Sequence, residues 1–464
     1  MLVSFGMIGT SLSGVTFVSV PGTVGSNAFG YFQVVLGYFI GYFVIAFILL
    51  PLYYRLHLTS IYNYLQQRFG KTAYKTGALF FIISRVMGAT ARLYLVINVL
   101  QIFILNKMHV SFELTTFVIL MMILLYTFEG GVKTIVFTDT LQTTFMLLGL
   151  IVCMVYIMSS LDLSFMHTMN VLSEKSYTKI FNVDINSSGF FLKHIIGGAF
   201  IAIGMTGLDQ EMMQKNISVK NLKDSQKNMI AFSTVMVIVN LLFLILGGLL
   251  YLFADVRNIQ IKGDDLFPAV ALNYLPPIVS VIFIIGLISA LFPSADGALT
   301  ALTSSFCIDI LGLKRRDDLD ERKRKRTRLT VHFAFAVIFF LCVMLFKWID
   351  NKSIIDIILK VAGFTYGPLL GLFAFGIFSK RKIKDKWSLL ICLAAPALIF
   401  SLDFINNIEW YSKHLKLEGD WINSLKTVSS SVFGNFKIGY ELLIYNGLFT
   451  FTGLWLISRP ATKV

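Results

Sequence analysis

The stretch Ser289-Ala290-Leu291-Phe292-Pro293-Ser294-Ala295-Asp296-Gly297 carries the residue types best suited to chemistry. In a helix it places Ala290, Pro293, Ser294 and Gly297 at i, i+3, i+4 and i+7, on one face. Asp296 lies about one-sixth of a turn round from Pro293. Pro293 has no N–H, so the Ser289 carbonyl loses its helical partner. A freed carbonyl, a hydroxyl and a nearby carboxylate are hard oxygen ligands, suited to a small cation such as Na+.

Two other stretches have the composition of interrupted helices. One reads Gly9-Thr10-Ser11-Leu12-Ser13-Gly14-Val15-Thr16-Phe17 and then Pro21-Gly22; the other reads Gly197-Gly198 and then Gly204-Met205-Thr206-Gly207-Leu208-Asp209-Gln210. Helices broken in this way surround the binding sites of transporters. Small residues also let helices pack closely, and both readings can hold. Asp139 follows Thr138 about one turn into an apolar run, where it is either a site carboxylate or an N-terminal charge facing water. Arg85 and Arg92 are two turns apart on one face; they neutralise an anionic solute or pair with carboxylates.

These residues need elements to hold them. Of the 464 residues, 56% are hydrophobic and 14% charged, against roughly 25% charged in a soluble domain; the mean hydropathy is +0.75. A soluble fold of this length cannot hide so much apolar surface, which excludes a soluble globular protein as well as a disordered chain, a disulfide scaffold and a collagen-like fibre. A bilayer core takes about 20 apolar residues per helix. Twelve segments meet that length, at about 4–26, 29–54, 76–105, 111–128, 134–160, 189–212, 229–254, 277–306, 329–348, 354–378, 387–405 and 438–458. They predict an all-α multi-pass membrane protein, because lipid-exposed backbone must bond to itself. The runs are too continuous for a β-barrel.

Lysine and arginine set the orientation. Of the 40, 25 fall in one alternate set of loops (Lys215 among them), 11 in the other, and Arg85, Arg92, Lys193 and Lys360 inside the segments. The bias predicts a cell-membrane protein with both termini in the cytoplasm. The net charge of +14 then reflects cytoplasmic loops and no nucleic-acid partner. The run Lys314 to Arg328, interrupted by acids, reads as one such loop rather than an anionic-lipid patch. Cys153, Cys307, Cys342 and Cys392 lack metal-ligand spacing and read as buried thiols. No cleavable signal peptide is visible.

In order and spacing, the motifs resemble the sodium:solute symporter family, which includes sugar, proline, pantothenate, iodide, sialic acid and monocarboxylate carriers. The likeness spans about residues 4–380 and rests on Gly9 to Gly22, Ile61-Tyr62-Asn63-Tyr64-Leu65-Gln66-Gln67-Arg68-Phe69-Gly70, the Gly130 to Gln142 turn with Thr138-Asp139, and Ala290 to Asp309. Asp209 to Lys215 and Gly367-Pro368-Leu369-Leu370-Gly371 support it. The resemblance implies a leucine-transporter-like five-plus-five inverted repeat within a single transporter domain, 1–464. The first repeat would be 4–160 and the second 189–378, with two extra helices in 387–458. It also implies Na+-driven alternating access.

By motif match, the implied Na+ site falls on the carbonyls of Gly9 and Leu12 and on Ala290, Pro293 and Ser294. Pro293 stands where the family usually has a hydroxyl, which leaves Ser294 to keep that role. A second cation site is implied at Asp139, with Asp296 replacing a hydroxyl. Solute-pocket candidates are Ser13, Thr16, Phe17, Arg85, Arg92, Thr206, Asp209 and Gln210. Met205 and Thr16 replace the tyrosine and glutamine of sugar carriers, and Gly14-Val15-Thr16-Phe17 leans toward the iodide, vitamin and monocarboxylate branch. The family has a helix before the first broken one; this chain starts almost inside that broken helix, so a truncated or misassigned start is expected.

The resulting expectation is a secondary active transporter importing a small organic solute with Na+. It has no organic cofactor, no catalytic residues and no obligate protein partner; its surroundings are the lipid bilayer. Proton coupling through Asp296 is the alternative within transport. A solute sensor would need a signalling domain, and nothing after Arg459 is long enough. A membrane enzyme would need a catalytic cluster, whereas the six histidines are scattered.

Overall fold

The computed structural model describes residues 2–56, 58, 60–127, 132–316, 318, 320–349, 354–415 and 417–460. Each predicted segment coincides with helix. The chain opens with α1 (Leu2–Ser11) and α2 (Gly14–Gly22), then α3 (Val24–Leu56) and α4 (Lys71–Phe103). Next come α5 (Phe112–Thr127) and α6 (Val132–Ser160), then α7 (Phe191–Gly207), α8 (Gln210–Ile217) and α9 (Leu222–Arg257). After α10 (Leu266–Asn273) and α11 (Pro277–Ile310) follow α12 (Glu321–Ile349), α13 (Ile354–Thr365), α14 (Gly367–Phe378), α15 (Ser388–Asn406) and α16 (Leu442–Leu456).

Among the described residues, seven helices are each long and apolar enough to cross a bilayer alone: α3, α4, α6, α9, α11, α12 and α15. Two further spans are bent pairs, α7–α8 by 69° and α13–α14 by 45°. The second of these pairs falls in the expected segment 354–378. Pro368 marks the bend: it sits in the first turn of α14, where its missing N–H is harmless. The first expected segment is divided between α1 and α2.

α1 packs against α6, α9 and α11; α2 against α9; α11 against α4 and α6; and α3 against α7. The interrupted helix α1–α2 is therefore central, with Leu12, Phe17, Val18 and Val20 fully buried. Leu125 is 74% exposed, Ile278 67% and Leu341 61%. Large aliphatic side chains facing outward on several helices are what hydrocarbon surroundings permit. Lys382–Ile383 pairs antiparallel with Ser458–Arg459, tying the ends of α14 and α16 together.

Candidate functional site

The first break opens backbone oxygens. The α1 ladder ends where the Leu12 N–H donates to the Ile8 carbonyl at 2.7 Å, and the α2 ladder begins where Phe17 N–H donates to Ser13 at 3.0 Å. Ser13 between them is extended, with φ −104° and ψ 178°. The last four carbonyls of a helix have no partner within it; here those are Gly9, Thr10, Ser11 and Leu12. Gly9 lets α1 press onto α6, because a Cβ there would strike the Thr143 hydroxyl and lie 2.9 Å from the Asp139 carbonyl.

α11 runs helical through Pro293, against α1. Ala290 and Ser294 are each 1% exposed. The Ser294 hydroxyl donates to the Leu291 carbonyl at 2.9 Å, which leaves its lone pairs available as acceptors.

The second break, between α7 and α8, is closed by protein. Tyr53 donates to the Gly207 carbonyl and Tyr62 to the Leu208 carbonyl, both at 2.9 Å. The Ile61 N–H donates to Gln210 Oε1 at 2.9 Å, and Asp209 caps α8 by accepting from Met212 N–H at 3.1 Å.

Beside this break lies a buried charge cluster. Asp139, Asp209 and Asp296 are fully buried, and Lys215, Arg85 and Glu211 are 3–5% exposed. Arg85 pairs with Glu211 and lies 3.7 Å from Asp209. Lys215 Nζ lies 2.9 Å from Asp139 Oδ2, 3.1 Å from Glu211 Oε1 and 2.6 Å from Thr10 Oγ1. Asp296 Oδ1 accepts from Gly297 N–H, while Oδ2 has no hydrogen-bond partner among the described residues.

Several expectations are corrected here. Asp139 does not face water: α6 begins at Val132, so Asp139 lies deeper in the helix and holds Lys215. Asp209 and Gln210 do not line a solute cavity, being consumed by the α8 cap, Arg85 and Ile61. Lys215 was counted as a loop charge, yet it is buried. Its spacing from Glu211, i and i+4 on one helix face, was the available signal. Gly130 and Gly131 of the Gly130–Gln142 turn lie outside the described residues.

A cavity of about 100 Å³ lies among α1, α2, α3, α4, α7, α8, α9 and α13. Of the sequence candidates, Ser13, Thr16, Arg85, Arg92 and Thr206 line it, together with Met205. Tyr31, Tyr38, Tyr42 and Asn240 also line it and were missed; the three tyrosines stand at i, i+7 and i+11 on one face of α3, and that spacing was the available signal. Phe17 turns away. One position beyond Thr16, it points about 100° away and packs on Phe243, Phe267 and Phe283 at 5.8, 5.2 and 5.6 Å between centroids. Arg92 is half-buried, and no carboxylate lies within 4.0 Å of it among the described residues. Tyr31, Ile355 and Leu359 border a second, wider cavity of about 610 Å³ that also touches Lys360 and Asp403.

The sequence profile of the sodium:solute symporter family matches residues 1–385. The chain belongs to that family. It is a multi-pass membrane symporter that couples a solute to Na+. The sodium/sialic acid symporter of Aliivibrio fischeri (strain ATCC 700601 / ES114) is 23% identical to it over 392 residues, 81% of this chain and 75% of that protein. The sodium-dependent multivitamin transporter of Oryctolagus cuniculus is 23% identical over 395 residues, 81% of this chain and 59% of that protein. The substrate-bound outward-open structure of a Na+-coupled sialic acid symporter superposes with a TM-score of 0.79 at 15% identity, covering 99% of this chain and 91% of that one. The symporter thus has the leucine-transporter-like fold.

Proposed function

We propose that this symporter imports a small organic anion together with Na+. The observation that carries the anion is the contrast between two arginines on α4. Arg85 is committed to Asp209 and Glu211. Arg92 borders the same cavity without a carboxylate partner among the described residues. A guanidinium within a membrane protein needs an anion to offset its lost hydration. Thr16, Thr206, Asn240 and three tyrosines would supply hydrogen bonds around a carboxylate. The small cavity suits a short carboxylate better than a sugar.

Na+ is assigned to the carbonyls of Gly9 and Leu12 together with Ala290, Pro293 and Ser294 of α11; the open carbonyl row at the first break supports this. The symmetry is that of two five-helix halves, 4–160 and 189–378. Loop charge favours cytoplasmic termini, which puts the wider cavity outside and the Lys215 cluster inside. Tyr31, Ile355 and Leu359 then form an outer constriction. Each Na+ entering adds about 2.3 kcal/mol per 100 mV of membrane potential. A second reading, proton coupling, is favoured by the unpartnered Asp296 Oδ2.

The test is uptake of labelled short carboxylates, sugars and amino acids into proteoliposomes, in Na+ and in choline. Na+-dependent uptake of carboxylates alone is expected. Uptake unchanged in choline would overturn the coupling, and equal uptake of neutral solutes would overturn the anion. Uptake driven by a pH gradient and abolished by Asp296→Asn would favour the second reading.

A further inference from the structure

We propose that the Lys215 ammonium is a tethered cation: it fills the oxygen cage of Thr10, Asp139 and Glu211, a position that a free Na+ would otherwise hold. This rests on the Na+-symport reading above. The sequence resemblance placed a second cation site at Asp139. In the structure Oδ2 of that carboxylate is already met by a charge from the chain itself, while Oδ1 has no hydrogen-bond partner among the described residues.

The cage is complete. An ammonium has three N–H donors. They meet Thr10 Oγ1 on α1 at 2.6 Å, Asp139 Oδ2 on α6 at 2.9 Å and Glu211 Oε1 on α8 at 3.1 Å. All four residues are at most 5% exposed. Two glycines make the cage tight. A Cβ on Gly9 would strike Thr143 Oγ1, and one on Gly297 would strike the Glu211 carboxylate. So α1 and α11 close around the ammonium only because both positions lack a side chain.

Charge explains why the cage needs a cation. Asp139, Asp209, Glu211 and Asp296 are four buried carboxylates served by two buried cations, Arg85 and Lys215. Without Lys215, Asp139 would have no cation beside it, and a mobile cation such as Na+ would restore one. With Lys215 in place, its positive charge repels a second ion from the same oxygens. Thr10 stands between Gly9 and Leu12, so the fixed charge also neighbours the proposed Na+ site and links it to α8. Lysine suits the role as a compact point charge on a flexible stem.

The experiment counts radiolabelled Na+ bound per purified full-length chain in a choline background, with no solute required. The wild type is expected to bind about one Na+, Lys215→Met about two, and Asp139→Asn/Lys215→Met about one again, since the carboxylate that demands the ion is gone. Asp139→Asn alone should still bind about one, because Lys215 remains on Glu211. Lys215→Met bound to only one Na+ would overturn the proposal. So would a wild type that binds two and falls to one in Asp139→Asn, a result that stands even if Lys215→Met fails to accumulate. A wild type that binds none sinks the Na+-symport reading instead, and a gain of one ion in Lys215→Met would still support the tethered charge.

Discussion

The two interrupted helices are built for opposite purposes. At the α1–α2 break the chain opens between Ser11 and Gly14, and four carbonyls are left without helical partners. At the α7–α8 break, Tyr53 and Tyr62 fill the carbonyls of Gly207 and Leu208, and the Asp209 and Gln210 side chains bond backbone N–H groups. A break with unclaimed oxygens can bind an ion. A break whose backbone groups are held by side chains of other elements is a braced joint, and it can carry buried charges. Interruption alone is therefore no sign of an ion site; what matters is which groups the rest of the protein has already satisfied.

The largest expected effect lies at the closed joint. Arg85→Met leaves Glu211 and Asp209 without their guanidinium and should destabilise the protein by about 3–5 kcal/mol. Thermal unfolding of purified protein measures this, and Arg85→Met/Glu211→Leu should recover most of the loss. An unchanged melting temperature in the single variant would mean the joint is not held by charge.

Arg92→Gln, two turns along the same helix, should behave in the opposite way. It should leave the melting temperature nearly unchanged while lowering carboxylate uptake about 10- to 100-fold, as expected for losing a hydrogen bond to a charged group. Equal damage to stability would place Arg92 in the scaffold rather than the solute pocket.

A matched pair sharpens the contrast further. Ser294→Ala should raise the half-saturating Na+ concentration about tenfold, equivalent to about 1.4 kcal/mol. Tyr62→Phe removes the donor to Leu208 and should cost about 1 kcal/mol of stability without moving Na+ affinity. If Tyr62→Phe alone shifted Na+ affinity, the ion would lie at the second break.

A pH dependence arises where α2 meets the loop before α10. Ser19 donates to Asp264 Oδ2 at 2.8 Å and the Ile354 N–H donates at 3.2 Å. Burial pushes the Asp264 carboxyl up from 3.8 to about 7, against the lowering influence of those two donors. The folded state then holds its proton where the unfolded chain has lost it, so stability is highest at acid pH and falls as pH rises from 3.8 to about 7. Asp264→Asn should flatten that slope in melting temperatures measured across the same range.

Much of this was legible from residue types. The apolar run lengths predicted helix in all twelve places, and Gly, Ser and Thr clusters marked both breaks. The 354–378 run was read as one span, and Pro368 at the bend was the sign of the break inside it. Phe17 was misassigned for a geometric reason: neighbouring helical positions point about 100° apart, so one polar neighbour on a cavity wall says nothing of the next residue. Lys215 was missed because loop counting assigns a lysine past the end of an apolar run to water.

By itself, then, the sequence determined the membrane class, the helical spans and the places where helices give way, since all three follow from local hydropathy and backbone chemistry. Only the tertiary structure decided which break keeps its oxygens open, which arginine is spoken for and where Lys215 puts its charge. Those are questions of pairing between residues as far apart as Thr10 and Lys215, and a buried charge takes its meaning from partners that lie close in space and far along the chain.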